Sequence, residues 1–256
     1  MYLIDYNSYR SVKGFNRRVR FLVMHYTAID FKASIDALTG PSVSAHYLIP
    51  DPAEKTYIDA GFKDLRIFNL VDENERAWHA GVSSWSGRSN LNDTAIGIET
   101  VNLATENNNI FIFPPYNPLQ IEAIKSLATN ILQRYPDITP TNVVGHSDIA
   151  PGRKSDPGAA FPWKALYDAG IGAWYEESLM QHYLAQFSQS QPAKTDIIAK
   201  LKTYGYDIAA AGTAKGYQDL IRAFQLHFRQ KNYDGVADAE TSAILYALVE
   251  KYFPEK

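Results

Sequence analysis

Three side chains in this sequence have the chemistry to hold a divalent cation. His25 closes the apolar run RFLVMHYTA, and His146 and Asp156 bracket the loop HSDIAPGRKSDPG. That loop contains Pro151, Gly152, Pro157 and Gly158, which reverse a chain at low steric cost and can bring Asp156 back beside His146. Two imidazoles and one carboxylate are the donor set of an open zinc site, which keeps a fourth position for water. The ligands are far apart along the chain, and both histidines would serve equally well as core residues with hydrogen-bonded ring nitrogens.

Two further residues bear on the same chemistry. Glu99 interrupts the apolar stretch TAIGIETVN. An acid among apolar neighbours costs stability unless it is paired or used, and partial burial would raise its pKa toward that of a working base. The alternative is a carboxylate on the solvent face of an edge strand. Lys154, two residues before Asp156, is either a solvated loop lysine or a cation placed to stabilise an oxyanion.

The elements that must position these groups follow from periodicity. RFLVMHYTA reads as a strand buried on both faces, with Phe21, Val23 and His25 sharing one side. FKASIDALTG reads as a short helix; SAHYLI and RIFNLV read as strands, with TYIDA a weaker candidate strand. TAIGIETVN and NVVGH supply further strands, and His146 falls where the second gives way to a loop. Pro118 to Tyr135 carries apolar residues at helical spacing between two prolines, and PWKALYDAG makes another short helix. The fold class is α/β: a central, mostly buried mixed β-sheet flanked by helices.

Beyond FSQSQPAK the character changes to helical patterns alone: TDIIAKLKTYG, KGYQDLIRAFQLHFRQ and DAETSAILYALVEKY. Asp196 and Asp238 stand near helix starts, where an acidic residue complements the dipole. The expected division is residues 1–186 as the α/β domain, with 1–18 an extension packing on it, 187–194 as linker, and 195–256 as a small all-α domain of about three helices. So small a domain folds alone only marginally.

Composition narrows the classes of function. A hydrophobic content of 46% with 21% charged residues is that of a globular protein, and a net charge of −3 gives no reason to expect a nucleic-acid partner. The absence of cysteine removes disulfides, Cys-based zinc fingers, iron–sulfur clusters and thiol nucleophiles. No apolar run is long enough for a transmembrane segment, and the N-terminus lacks the apolar core of a secretory signal. Nothing implies an oligomer.

LVMHYTA, SAHYLI, AWHAG, LNDTAIGIE and VVGHSDIAPGRKSDPG together resemble the zinc-dependent N-acetylmuramoyl-L-alanine amidases, which share a fold with peptidoglycan recognition proteins. The motifs stand in the family's order across residues 15 to 170, and the likeness is to the anhydro-muropeptide subgroup of the bacterial outer membrane. FQLHFRQKNYDGVADAETSAILYAL looks like a peptidoglycan-binding helical domain. The resemblance implies one Zn2+ held by His25, His146 and Asp156, with Glu99 activating water and Lys154 steadying the oxyanion. It implies cleavage between the lactyl group of N-acetylmuramic acid and L-alanine, in a periplasmic or outer-membrane protein whose leader is missing; a cytoplasmic location is the alternative.

Tyr26, Trp78 and His79 are the substrate contacts this likeness suggests, with core packing the other reading of Trp78. Where some members have a catalytic tyrosine this chain has Ala45, which makes Glu99 more necessary and leaves His46 as a supporting or packed residue. Close relatives place arginine immediately before LND to grip a stem-peptide carboxylate. Here Asn90 stands there, and Arg88, two residues earlier, is the candidate replacement. A non-catalytic recognition module of the same fold is the main alternative; such relatives typically lose a metal ligand, and this chain keeps all three. A zinc peptidase acting within the stem peptide is another, distinguished by its products. The helical tail is either a wall-binding surface or a purely structural pack.

Overall fold

The structure, a computed structural model, describes residues 2–107 and 110–254. The chain runs through β1 (Phe21–Tyr26), α1 (Phe31–Leu38), β2 (Tyr47–Ile49), α2 (Lys55–Asp59), β3 (Phe68–Asn69) and a small hairpin of β4 (Ser84–Trp85) and β5 (Arg88–Ser89). It continues through β6 (Ala95–Thr100), a second hairpin β7 (Thr105–Asn107) and β8 (Ile110–Ile112), α3 (Pro118–Arg134), β9 (Val143–Gly145), α4 (His146–Ile149) and α5 (Trp163–Asp168). Four helices close it: α6 (Glu177–Phe187), α7 (Lys194–Tyr204), α8 (Ala214–Phe228) and α9 (Ala239–Tyr252).

The central sheet is mixed, in the order β3-β2-β6-β1-β9. β1 pairs parallel with β6 and β9, β2 pairs parallel with β6, and β3 is an antiparallel edge. Sheets of this kind are covered on both faces, so their strands read as unbroken apolar runs. Phe21, Leu22, Val23 and Met24 of β1 are accordingly buried, as are Ala95, Ile96 and Ile98 of β6. Across the sheet lies α3, whose buried residues Gln120, Ile124, Leu127, Ala128 and Ile131 fall on one stripe. It opens with Pro118 at its first position and a capping box, in which the Asn117 side chain accepts from the backbone and Gln120 accepts from the Asn117 N–H.

Three local expectations are corrected. TYIDA is not a strand: Glu54 caps Thr56 and Tyr57 and starts α2, and Tyr57 is buried beneath it. The segment after NVVG does not pass straight into loop, because His146 begins the one-turn helix α4. Glu99 does not stand on an edge strand, since β6 lies between β2 and β1.

The tail packs as an integral part of the molecule. α6 lies against α9, with Phe187 and Tyr246 edge to face at 4.8 Å, so helices on either side of residues 188–193 share one core. Phe224, Leu226, His227 and Phe228, from the FQLHF motif, are buried, and one continuous apolar cluster joins Phe224 and Phe228 to sheet residues. Trp85 of the first hairpin meets the Tyr206 ring at 4.7 Å, and the Ser86 N–H donates to the Gly205 carbonyl at 2.7 Å. Residues 2–18 lie exposed along the outside, touching the domain where Arg17 and Arg18 donate to the Arg134 and Asn74 carbonyls. Among the described residues no helix is long and apolar enough to cross a membrane.

Ile131, fully buried on α3, tests the helix-to-sheet packing without touching the strand ends. Ile131→Ala is expected to cost about 2–5 kcal/mol of unfolding free energy, read as a lower denaturant midpoint with an unchanged m-value.

Candidate metal centre

The carboxyl ends of parallel strands are where open α/β sheets place their sites. His25 sits near that end of β1, its register partner Glu99 near the same end of β6, and His146 directly after β9. The Asp156 loop returns to them because the Ser147 N–H donates to the Asp156 carbonyl at 2.8 Å and the Tyr116 hydroxyl donates to the Pro157 carbonyl at 2.8 Å. Gly145 allows this return, since a Cβ there would lie 2.7 Å from Pro157 Cδ.

Three donor atoms meet as a result. His25 Nδ1 is 2.9 Å from Asp156 Oδ2 and 3.0 Å from His146 Nδ1, and His146 Nδ1 is 3.0 Å from Asp156 Oδ2. All three residues are buried, and they form a group able to hold a metal ion. The outer ring nitrogens decide what the inner ones carry. His146 Nε2 faces the Ala80 carbonyl at 3.1 Å and the Arg153 guanidinium at 3.3 Å; donation to the carbonyl would place the proton of a neutral ring on Nε2 and leave Nδ1 bare. His25 Nε2 meets His79 Nδ1 at 3.0 Å, which serves the same end if His25 donates. Bare nitrogens beside a carboxylate oxygen are drawn together by a cation, and imidazoles with their far N–H groups engaged are what a metal site requires.

The electrostatics agree. Burial, reinforced by His146, pulls His25 down to about 4, so it is neutral near pH 7. For Asp156, burial alone would raise the pKa, but the adjoining rings of His146 and His25 outweigh it and hold the carboxyl below the usual range. Glu99 is the opposite case. Burial, then the charge of Asp156, pushes it well above the usual carboxylate range, with Lys154 opposing, and its Oε2 is shielded, with no hydrogen-bond partner among the described residues.

A cleft of about 230 Å³ opens over the triangle, lined by Tyr26, Trp78, His79, Glu99, His146, Lys154 and Asp156, with a wall from Ala28 to Leu38. Tyr26 shares a 2.8 Å hydrogen bond with Ser155. Trp78 is half exposed and faces this opening instead of the core. Arg88 and Asn90 lie on the β4–β5 hairpin and just beyond it, both exposed and outside the cleft lining. His46 is fully buried just before β2, and its Nδ1 accepts from the Gly97 N–H at 3.0 Å, which makes it a packed residue.

The part of AWHAG that sequence reasoning did not foresee is its support of both ligand rings, through His79 and the Ala80 carbonyl. Arg153 also donates to that carbonyl, at 2.8 Å. The signal was present in Gly97, a glycine inside strand β6. A Cβ at Gly97 would fall 2.5 Å from His79 Cγ, so the glycine makes room for the ring that meets His25. Gly97→Ala is therefore expected to displace His79 and weaken metal binding by about 10–100-fold, measured by chelator competition. Wild-type affinity in a folded Gly97→Ala protein would remove His79 from the account.

Residues 15–159 match the family described as N-acetylmuramoyl-L-alanine amidase. The chain is 46% identical over 237 residues to N-acetylmuramoyl-L-alanine amidase AmiD of Escherichia coli, covering 92% of this chain and 84% of that one. The crystal structure of AmpDH3 from Pseudomonas aeruginosa superposes with a TM-score of 0.95 at 58% identity, covering 98% of this chain and 99% of the other. AmiD from E. coli, in complex with the substrate anhydro-N-acetylmuramic acid-L-Ala-D-gamma-Glu-L-Lys, superposes with a TM-score of 0.85 at 41% identity, covering 98% of each chain. With the family matched over more than half of its length and the fold shared from end to end, this chain belongs to the N-acetylmuramoyl-L-alanine amidases.

Proposed function

We propose that the protein is a zinc-dependent amidase that hydrolyses the bond between the lactyl carbonyl of N-acetylmuramic acid, or its 1,6-anhydro form, and L-alanine of the stem peptide. His25, His146 and Asp156 would hold the ion. The observation that carries this reading is the convergence of their donor atoms to within 3.0 Å beside a glutamate that has an unpartnered, shielded oxygen. The substrate class is supported by the relatives' complexes, whose ligands are anhydromuramic acid peptides. Such a substrate fits cell-wall turnover and a periplasmic or outer-membrane place of action.

When bound, zinc supplies Lewis acidity, polarising a carbonyl oxygen and acidifying water at its open position. The chain's own groups do the remainder. Glu99, with its raised pKa, takes a proton from the attacking water and can return it to the departing amine of L-alanine. Water and amide are thereby converted to a carboxylic acid and a free amine. Lys154 lines the cleft as a fixed positive charge for the oxyanion that develops on the carbonyl oxygen. Trp78 offers an aromatic face at the cleft mouth, and Tyr26, its hydroxyl held by Ser155, forms the opposite polar wall.

Digestion of purified peptidoglycan and anhydro-muropeptides, with and without a chelator, tests the reaction. Peptides with a free N-terminal L-alanine are expected by mass spectrometry, and the chelator should abolish their release; fragments cut within the stem would make the protein a peptidase. Glu99→Gln is expected to retain one zinc per chain while kcat falls by about 10²–10⁴. Lys154→Met should lower kcat by about 10²–10³ with a smaller change in KM. Substantial turnover in the zinc-loaded Glu99→Gln protein would assign the base elsewhere.

A further inference from the structure

We propose that the C-terminal helices are a working part of the metal centre: His227 and Tyr206 hold Asp148, and Asp148 sets the turn that aims His146. This rests on the metal reading given above.

Asp148 is fully buried, and each of its oxygens is engaged. Oδ2 accepts from the Gly145 N–H at 2.7 Å and from His227 Nδ1–H at 2.7 Å, and Oδ1 accepts from the Tyr206 hydroxyl at 2.5 Å. One donor is therefore local, and two come from beyond residue 200. The local bond closes the first turn of α4, and His146 is the first residue of that turn. A single turn of helix has no stability of its own, so its conformation must be imposed by contacts from outside.

Both outside donors are held rigidly. The His227 ring lies 3.7 Å from the Trp163 ring with only 17° between their planes, which fixes the direction of its Nδ1. The Tyr206 ring is pinned edge to face against Trp85 at 4.7 Å. Neither residue lines the cleft. They act through Asp148, two residues from the ligand, and are positioning residues. Without them a buried carboxylate loses two of three donors, a state that favours displacement of Asp148 toward water, and of His146 with it.

The test compares His227→Leu, which removes the donor, with His227→Asn, whose side-chain amide can replace Nδ1–H. Tyr206→Phe deletes one oxygen and serves as the mildest variant. Leu248→Ala, in the buried core of α9, lowers stability without touching Asp148. Each full-length protein is titrated with zinc against a chelator, its cobalt form is examined by visible spectroscopy, and its melting is followed. His227→Leu and Tyr206→Phe are expected to weaken zinc binding by about 10–100-fold and to shift the cobalt absorption bands. His227→Asn should stay within about threefold of wild type, and Leu248→Ala should lose melting temperature but not affinity.

Wild-type zinc affinity in both Tyr206→Phe and His227→Leu would overturn the inference while leaving the metal site intact. Equal loss in Leu248→Ala would overturn it as well, by reducing the effect to general loosening. If His227→Leu does not fold, Tyr206→Phe decides alone. A wild-type protein that binds no zinc would sink the metal reading and this inference with it.

Discussion

Two imidazole nitrogens and a carboxylate oxygen stand within 3.0 Å of one another, and the surroundings are arranged to hold them there. The constraint acts from the far side of each ring. The Ala80 carbonyl, which also accepts from Arg153, faces His146 Nε2 and favours a proton there over one on Nδ1. His79, kept neutral by burial and by the nearby His25 and His46, receives the outer edge of His25. AWHAG thus sets a ring or a carbonyl against the outer edge of each of the two imidazoles.

Three independent devices converge on that triangle. The parallel sheet places His25 and Glu99 in register on neighbouring strands, and β9 delivers His146 one strand away. The loop to Asp156 is tied back through Ser147 and Tyr116. The tail grips the α4 turn at Asp148 from outside the sheet. Each device alone leaves at least one ligand loose, and a displacement of 1 Å is enough to spoil coordination.

Much of this was legible in the sequence, and the reasons are specific. β1, β6 and α3 were readable because burial on both faces and a one-sided helical stripe each leave a strong pattern. His25, His146, Asp156 and Glu99 were readable because polar groups stood in apolar or turn-rich settings that called for a purpose. α2 was missed because its five residues, KTYID, are too few for periodicity to tell helix from strand, and the deciding contact is the Glu54 side chain. The hairpin β7–β8 is polar and exposed on its first strand, so no burial pattern announces it. His79 and Asp148 were hidden for another reason: their partners lie 54 to 79 residues away, and only packing brings them together.

Glu99 and Lys154 complete the logic, because the lysine opposes what burial does to the glutamate. Glu99 is pushed toward its neutral form by burial and by Asp156, and the ammonium of Lys154 is the group that opposes this. Lys154 is itself exposed, so in the open cleft water screens much of its field. A cleft whose walls include Trp78 and Tyr26 would lose part of that water on filling, and the lysine charge would then reach further into it. Lys154 and Asp156 stand on one loop and pull Glu99 in opposite directions, so the balance at the glutamate is set by where that loop holds them.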